Sequence, residues 1–170
     1  MEKFLKVMVP KVSVDSGTTT AGTADKLTQS GQNFTATVSV GDIIVDADNN
    51  VYKVLAVDSD TVLSVDGGGV PTSKAYTIYD GNVDLFGEKL ISATGIKSIV
   101  QTNTKTVTIA YGGVGTTADV VTVHHNAVDA ESNYMAESIQ DAVIKALSKP
   151  WNDVAPAFSF RYVIGSVVAS

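Results

Sequence analysis

Residues 38–65, VSVGDIIVDADNNVYKVLAVDSDTVLSV, restrict the possible folds more than any other stretch of the chain. Three short β-branched runs are separated by two polar turns, and none of the runs has a helical period. Val40, Ile43 and Val45 lead into Asp46-Ala47-Asp48-Asn49-Asn50, whose side chains bond their own backbone and tolerate left-handed geometry. Val51, Val54 and Val57 follow, then a second turn at Asp58-Ser59-Asp60, then Val62, Leu63 and Val65. Strands this close in sequence can only return on themselves, which predicts an antiparallel meander. Gly41-Asp42 is where the entering loop swings into it.

Charge separates this region from the rest. Between Val12 and Gly81 there are nine Asp, no Glu and three Lys, so the whole net charge of −6 sits there; the remainder is balanced. Such a segment repels phosphate backbones, and nucleic acid is not an expected partner. The simple reading of these acids is a well-solvated outer face. The chain is 44% hydrophobic, enough for a core, and 18% charged. Cysteine is absent, which removes disulfides and thiolate metal sites. Residues 1–10 are interrupted by Lys6 and closed by Pro10, which is no secretory signal. No run approaches a membrane span, so the expectation is a protein made in a cytoplasm, without a membrane partner.

Outside the acidic region the pattern stays mainly β. Residues 3–9 alternate, with Leu5, Val7 and Val9 against Phe4, Lys6 and Met8, and Pro10 ends the run or puts it at an edge. Residues 14–23, VDSGTTTAGT, read as a flexible connection. A triple-glycine turn, Gly67 to Gly69, leads to a strand at 75–79. Further strands are expected at 89–93, 96–100, 106–111 and 120–125, the last two forming a hairpin with a long tip over Gly112-Gly113-Val114-Gly115. One helix is predicted over about 131–148. Met135, Ile139, Val143 and Leu147 form its stripe with Ala142 and Ala146, Asp129 is the candidate N-cap, Glu131 sits in the first turn, and Pro150 follows. A C-terminal strand is expected at 157–168, with Phe158, Phe160, Tyr162 and Ile164 on one face.

The fold class expected is therefore α+β: mainly β with one C-terminal helix. Residues 1–12 and 82–170 would form a host sheet-and-helix domain. Residues 13–81 would form an inserted, acidic, small SH3-like β-barrel, since insertion at an exposed turn with adjacent ends is tolerated.

No stretch carries a catalytic constellation. His124 and His125 are the only histidines, and neighbours in a strand face opposite ways, so they cannot share a metal. Residues 46–50 begin like a calcium loop, but Val51 stands where the glycine belongs and Val57 where the glutamate belongs. Residues 67–74, GGGVPTSK, lack the glycine before the lysine and contain Pro71, so they read as a turn and not a phosphate loop. Asn33-Phe34-Thr35 is a formal glycosylation sequon in a chain without a secretion signal. No catalytic residue, metal or cofactor is expected.

The stretch DKLTQSGQNFTATVSVGDIIVDADNNVYKVLAVDSDTVLSVDGG resembles segments of tailed-phage virion structural proteins. KLISATGIKSIVQTNTKTVTIAYGG, ADVVTVHH, and the helix with Lys149-Pro150-Trp151 are similar to small virion proteins of the same kind. The likeness lies in composition and phrasing, and no functional residues carry over. It implies a non-enzymatic capsid auxiliary or decoration protein, or a head–tail or tail component. Its partners would be copies of itself and other virion proteins, and its location the virion. Leu5, Val7, Val9, Trp151, Phe158, Phe160 and Tyr162 are the expected interface residues, on edge strands and as aromatic anchors. For Trp151 the favoured reading is a lock between helix and sheet, with an anchor at a subunit contact second. The competing expectation is a β-rich module recognising carbohydrate or a host surface through Tyr52, Tyr76 and Tyr79.

Overall fold

The computed structural model describes residues 2–112, 119–126, 133–148, 154–155, 160 and 162–170. In chain order the elements are β1 (Phe4–Val9), β2 (Ser13–Thr18), β3 (Lys26–Thr28), α1 (Phe34–Thr37), β4 (Ile43–Asp46), β5 (Val51–Ser59), β6 (Val62–Val65) and β7 (Ala75–Tyr79). A 3-10 turn at Val83–Leu85 precedes β8 (Gly87–Ser92), β9 (Ile96–Asn103), β10 (Thr106–Tyr111) and β11 (Val120–His125). The chain ends with α2 (Tyr134–Leu147), β12 (Val154–Ala155) and β13 (Ile164–Ala169). The molecule is mainly β, in curled antiparallel sheets, with one long helix towards its C-terminus. No helix among the described residues is long and apolar enough to cross a membrane.

The meander forms as its turns dictate: β4 pairs β5 and β5 pairs β6, both antiparallel. They belong to a six-stranded sheet of order β2-β7-β4-β5-β6-β3. Its apolar cluster includes Leu27, Phe34, Ile44, Tyr52, Val54, Leu63, Val65, Val70, Tyr76 and Ile78. The first part of the expected flexible connection, residues 14–18, instead belongs to edge strand β2, paired with β7. Pairing with a neighbour overrides the weak local preference of a Ser- and Gly-rich run. At Gly17 the Gln29 amide packs against the strand, and a Cβ there would displace it.

The other two sheets form around a second cluster, which includes Leu5, Val7, Ile91, Val107, Ile109, Val123 and, from α2, Met135, Ile139, Ala142, Val143 and Ala146. One has the order β12-β1-β8, the other β13-β11-β10-β9. β1 is therefore not an open edge. It pairs β8 antiparallel over its whole length and β12 in parallel at Phe4 and Leu5. The helix buries the stripe predicted for it except Leu147, which is 50% exposed while Ala146 is buried. Steps of four residues overshoot the 3.6-residue turn by about 40° each, so three steps carry Leu147 off the face that Met135 occupies. The aromatic C-terminal strand is shorter than expected: Phe160 and Tyr162 precede β13 and lie outside any strand. Asp129, Glu131, Pro150 and Gly113 to Gly115 lie outside the described residues.

Because Leu5 is fully buried in the chain's own core, Leu5→Ala is expected to cost about 2–5 kcal/mol, the range for emptying a leucine site. Thermal melts at several protein concentrations check this. A loss that is the same at all concentrations places the residue in the core, whereas one that vanishes on dilution places it in a subunit contact.

Candidate functional site

The two apolar clusters meet along a polar seam. At Gly165 in β13 the backbone comes so close to β5 that a Cβ would lie 2.4 Å from the Val51 Cγ2. Val51 in turn bridges Asn126 in parallel fashion. The Asn126 amide ties the units together. Its Nδ2 donates to the Asp66 Oδ2 at 2.7 Å, and its Oδ1 accepts from the Val163 backbone N–H at 2.8 Å. The other Asp66 oxygen accepts from the Lys53 N–H at 2.6 Å. Above this, the Lys105 ammonium stands 3.5 Å from the centre of the Tyr52 ring, a cation–π contact. Burial lowers the Lys105 pKa, and the charges of Asp46 and Asp66 oppose that shift.

Behind the seam lies His125, with no exposed surface. As the strand geometry requires, it faces away from His124. Its Nδ1 is 2.7 Å from the Asn126 carbonyl oxygen and its Nε2 is 2.9 Å from the Gln101 Nε2. A carbonyl can only accept, so Nδ1 carries the proton and Nε2 accepts from the Gln101 amide. The orientation of Gln101 is fixed independently. Its nitrogen also donates to the Asn103 carbonyl at 2.7 Å, and its oxygen accepts from the Ala136 backbone N–H at 3.2 Å. Ala136 is in the first turn of α2, whose N-cap Asn133 makes no side-chain cap bond. Gln101 thus caps the helix from β9. Tyr162 stacks on the imidazole with centroids 5.8 Å apart. Burial lowers the His125 pKa against the opposing pull of its bond to the Asn126 carbonyl, and the neighbouring positive charges of His124 and Lys105 lower it further. His124 is also lowered by burial, against the pull of Asp46.

The acidic turn of residues 46–50 is structural. Asp46 is buried; its Oδ1 accepts from the backbone N–H groups of Asp48 and Asn50, both at 2.9 Å. Its Oδ2 accepts from the Asn50 amide at 3.0 Å and the Tyr52 hydroxyl at 3.2 Å. Asn49 takes φ of 64°, the left-handed geometry expected of this turn. Asp42, also buried, accepts from the N–H groups of Ser39 and Gly81. Lys26 pairs with Asp58 and Lys74 with Asp48, so the acids are only in part the solvated face the composition implied. Among the described residues no cluster of His, Asp or Glu could hold a metal ion. In the Gly67 to Gly69 turn all three glycines have positive φ, and the Gly68 N–H is already bonded to Asp25.

The tyrosines expected as a sugar platform turn inward. Tyr52 and Tyr76 are buried, because their period-two positions face the cluster of the six-stranded sheet. The Tyr76 hydroxyl donates to the Gln29 Oε1 at 2.6 Å, and burial pushes its pKa up to about 12. Burial and the Asp46 charge raise that of Tyr52 further. Tyr79 remains partly open, beside a shallow concavity of about 340 Å³ that Asp46, Asn49 and Thr77 also line.

The expected interface residues are not brought together on a surface. Leu5, Val7 and Val9 are buried in the core, Phe160 and Tyr162 pack half-buried against it, and Trp151 and Phe158 lie outside the described residues. What the sequence reading missed is the outer face of the sheet β13-β11-β10-β9. Cross-strand pairing aligns Val100, Thr108, Thr122 and Val168 in one row. Ser98, Ala110, Val120 and Ser170 flank it on one side, and Thr106, His124 and Ser166 on the other. None of these residues is Asp, Glu, Lys or Arg. Val100 and Val168, at the two ends of the central row, are 53% and 41% exposed. The alternation Thr-x-Thr-x-Ala over 106–110 was the available signal for one row of this face.

If Asn126 holds the seam, Asn126→Ala and Asp66→Ala should each destabilise by about 1–3 kcal/mol, the cost of leaving a buried polar group unpaired. The double variant should cost less than the sum, which urea unfolding of all four proteins measures.

No family model matches the chain, and neither a curated protein nor a solved structure matches it.

Proposed function

We propose that this protein is a non-enzymatic structural subunit that assembles with copies of itself through the outer face of the sheet β13-β11-β10-β9. The carrying observation is the charge-free Val100–Thr108–Thr122–Val168 row, exposed at both ends. Monomeric sheet proteins ordinarily scatter charge over a solvated face and use it to prevent sheet-to-sheet association. A face of Thr, Val, Ala and Ser desolvates cheaply, and its β-branched side chains lose little freedom on contact. The chemistry-bearing groups support the same reading: His125, Asp42, Asp46 and Asp66 are all engaged in holding the fold. The likeness of the sequence to virion structural proteins of tailed phages gives the assembly a setting, as a capsid auxiliary or decoration protein or a head–tail or tail component.

In this reading residues 13–81 form a small SH3-like barrel inserted in the host unit. Support comes from the two edges of the six-stranded sheet, which approach each other where Ala21 bridges Thr28 and the Thr20 N–H donates to the Thr28 carbonyl at 2.8 Å. The barrel carries the net negative charge and projects away from the contact, since like-charged units repel within a Debye length of about 8 Å at physiological salt.

Light scattering of the full chain is expected to give a mass several times that of one subunit. Thr122→Lys, which places a cation in the middle of the face, should reduce it to the subunit mass with the far-UV spectrum unchanged. A wild-type chain that stays monomeric at high concentration, or a folded Thr122→Lys variant that keeps the assembled mass, would sink the proposal. Mass spectrometry of particles released by the bacterial host tests the virion setting separately: the protein should be present in many copies per particle.

A further inference from the structure

We infer that His125 is an acid-sensitive lock on the start of α2: one proton on its Nε2 disconnects Gln101 from the ring and frees the first turn of the helix. This rests on geometry inside the subunit and is independent of the assembly reading. Every bond around the imidazole has a fixed direction. The Asn126 carbonyl can only accept, so Nδ1 must donate to it. Nε2 is then an acceptor, and the Gln101 amide donates to it.

A second proton would set N–H against N–H at 2.9 Å. In an exposed pair the amide would flip. Here a flip would turn the Gln101 oxygen towards the Asn103 carbonyl and its NH₂ towards the Ala136 N–H, exchanging one mismatch for two. The remaining way to accommodate the proton is to part β9 from His125, and the Gln101 cap on Ala136 goes with it. Asn133 offers no side-chain cap in its place.

The one group that favours the imidazolium is the Asn126 carbonyl on Nδ1, and burial outweighs it. From the β9–β10 turn Lys105 adds positive charge, and from its own strand His124 does the same. Tyr162 covers the ring face. Asp66 connects to it only through Asn126, and Asp46 acts on His124 and Lys105. The sign follows. The folded-state pKa lies below the ordinary 6.5, so between the two values the opened form takes up a proton that the closed form does not. The lock is intact above about pH 6.5 and weakens as pH falls below it.

The test is amide hydrogen exchange of the full chain between pH 8 and 5, corrected for intrinsic rates and read at Ala136 and its neighbours. Protection there should fall by up to about tenfold per pH unit below 6.5, the slope of one proton, while amides of β4 and β5 hold. Nitrogen shifts of the imidazole at pH 8 should report the Nδ1–H tautomer. His125→Gln should abolish the fall, and His124→Gln should retain it. Gln101→Glu supplies a carboxylate that can accept from both Ala136 and a protonated Nε2, so it should remove or reverse the fall, even if His125→Gln does not fold. Protection independent of pH in the wild type, an Nε2–H tautomer, an unchanged fall in Gln101→Glu or His125→Gln, or a fall lost in His124→Gln would each overturn the inference.

Discussion

The pairing of β1 with β8 is the contact on which the rest of the architecture depends. The two strands run antiparallel from Phe4 opposite Ser92 to Val9 opposite Gly87. The chain therefore leaves this strand pair and returns to it at the same end. Just beyond, the Asp80 N–H donates to the Val12 carbonyl at 2.8 Å, and a Cβ on Gly81 would fall 2.2 Å from the Gly41 carbonyl oxygen. With its ends held side by side, a long intervening segment costs little more loop-closure entropy than a short one, since that cost grows only with the logarithm of length. The six-stranded sheet can then form from residues 13–79 alone while β1 stays in the host core.

Two cores joined this way need a fixed relative orientation, and the seam supplies it with polar groups. An apolar seam would be stronger per unit area but less particular about register. The Asn126 amide is bonded to Asp66 on one side and to the Val163 backbone on the other, so it defines one alignment. Gly165 permits the close approach that makes these bonds possible. No buried side-chain nitrogen or oxygen among the described residues lacks a partner, so the network is complete enough to specify a geometry without a large desolvation penalty.

How much of this was legible in the sequence depended on whether the cause was local. The meander, its Asx turn at 46–50, the strands at 106–111 and 120–125 and the buried stripe of α2 follow from period and turn chemistry, which a window of residues contains. Strand β2 was not legible, because SVDSGT becomes a strand only through β7, sixty residues away in sequence. Alternation in residues 4–9 was visible, but whether that strand is central or at an edge is decided by partners at 87–92 and 154–155. The inward turn of Tyr52 and Tyr76 was hidden for a related reason. Alternation tells which residues share a face and not which face is inside. The capping of α2 by Gln101 has no local signature at all, since a glutamine in one strand serves a backbone group 35 residues on.

The distribution of charge ties the two halves of the protein to different tasks. Residues 12–81 collect the net charge, yet their acids are partly committed: Asp42 and Asp46 organise loops, and Asp48 and Asp58 are paired with lysines. The host sheet does the opposite. Its ionisable residues are kept off the face formed by β9, β10, β11 and β13, leaving only His124, which burial keeps towards its neutral form. A face cleared of charge in this way exposes the protein to unwanted association unless something else keeps copies apart until they meet in the right orientation. In the assembly proposed above, the acidic segments repel one another over about 8 Å, and that repulsion is smallest in orientations that hold them apart. On that proposal, repulsion on one unit and an uncharged contact on the other together favour a single mode of approach, in which the sheet faces meet and the acidic segments point away.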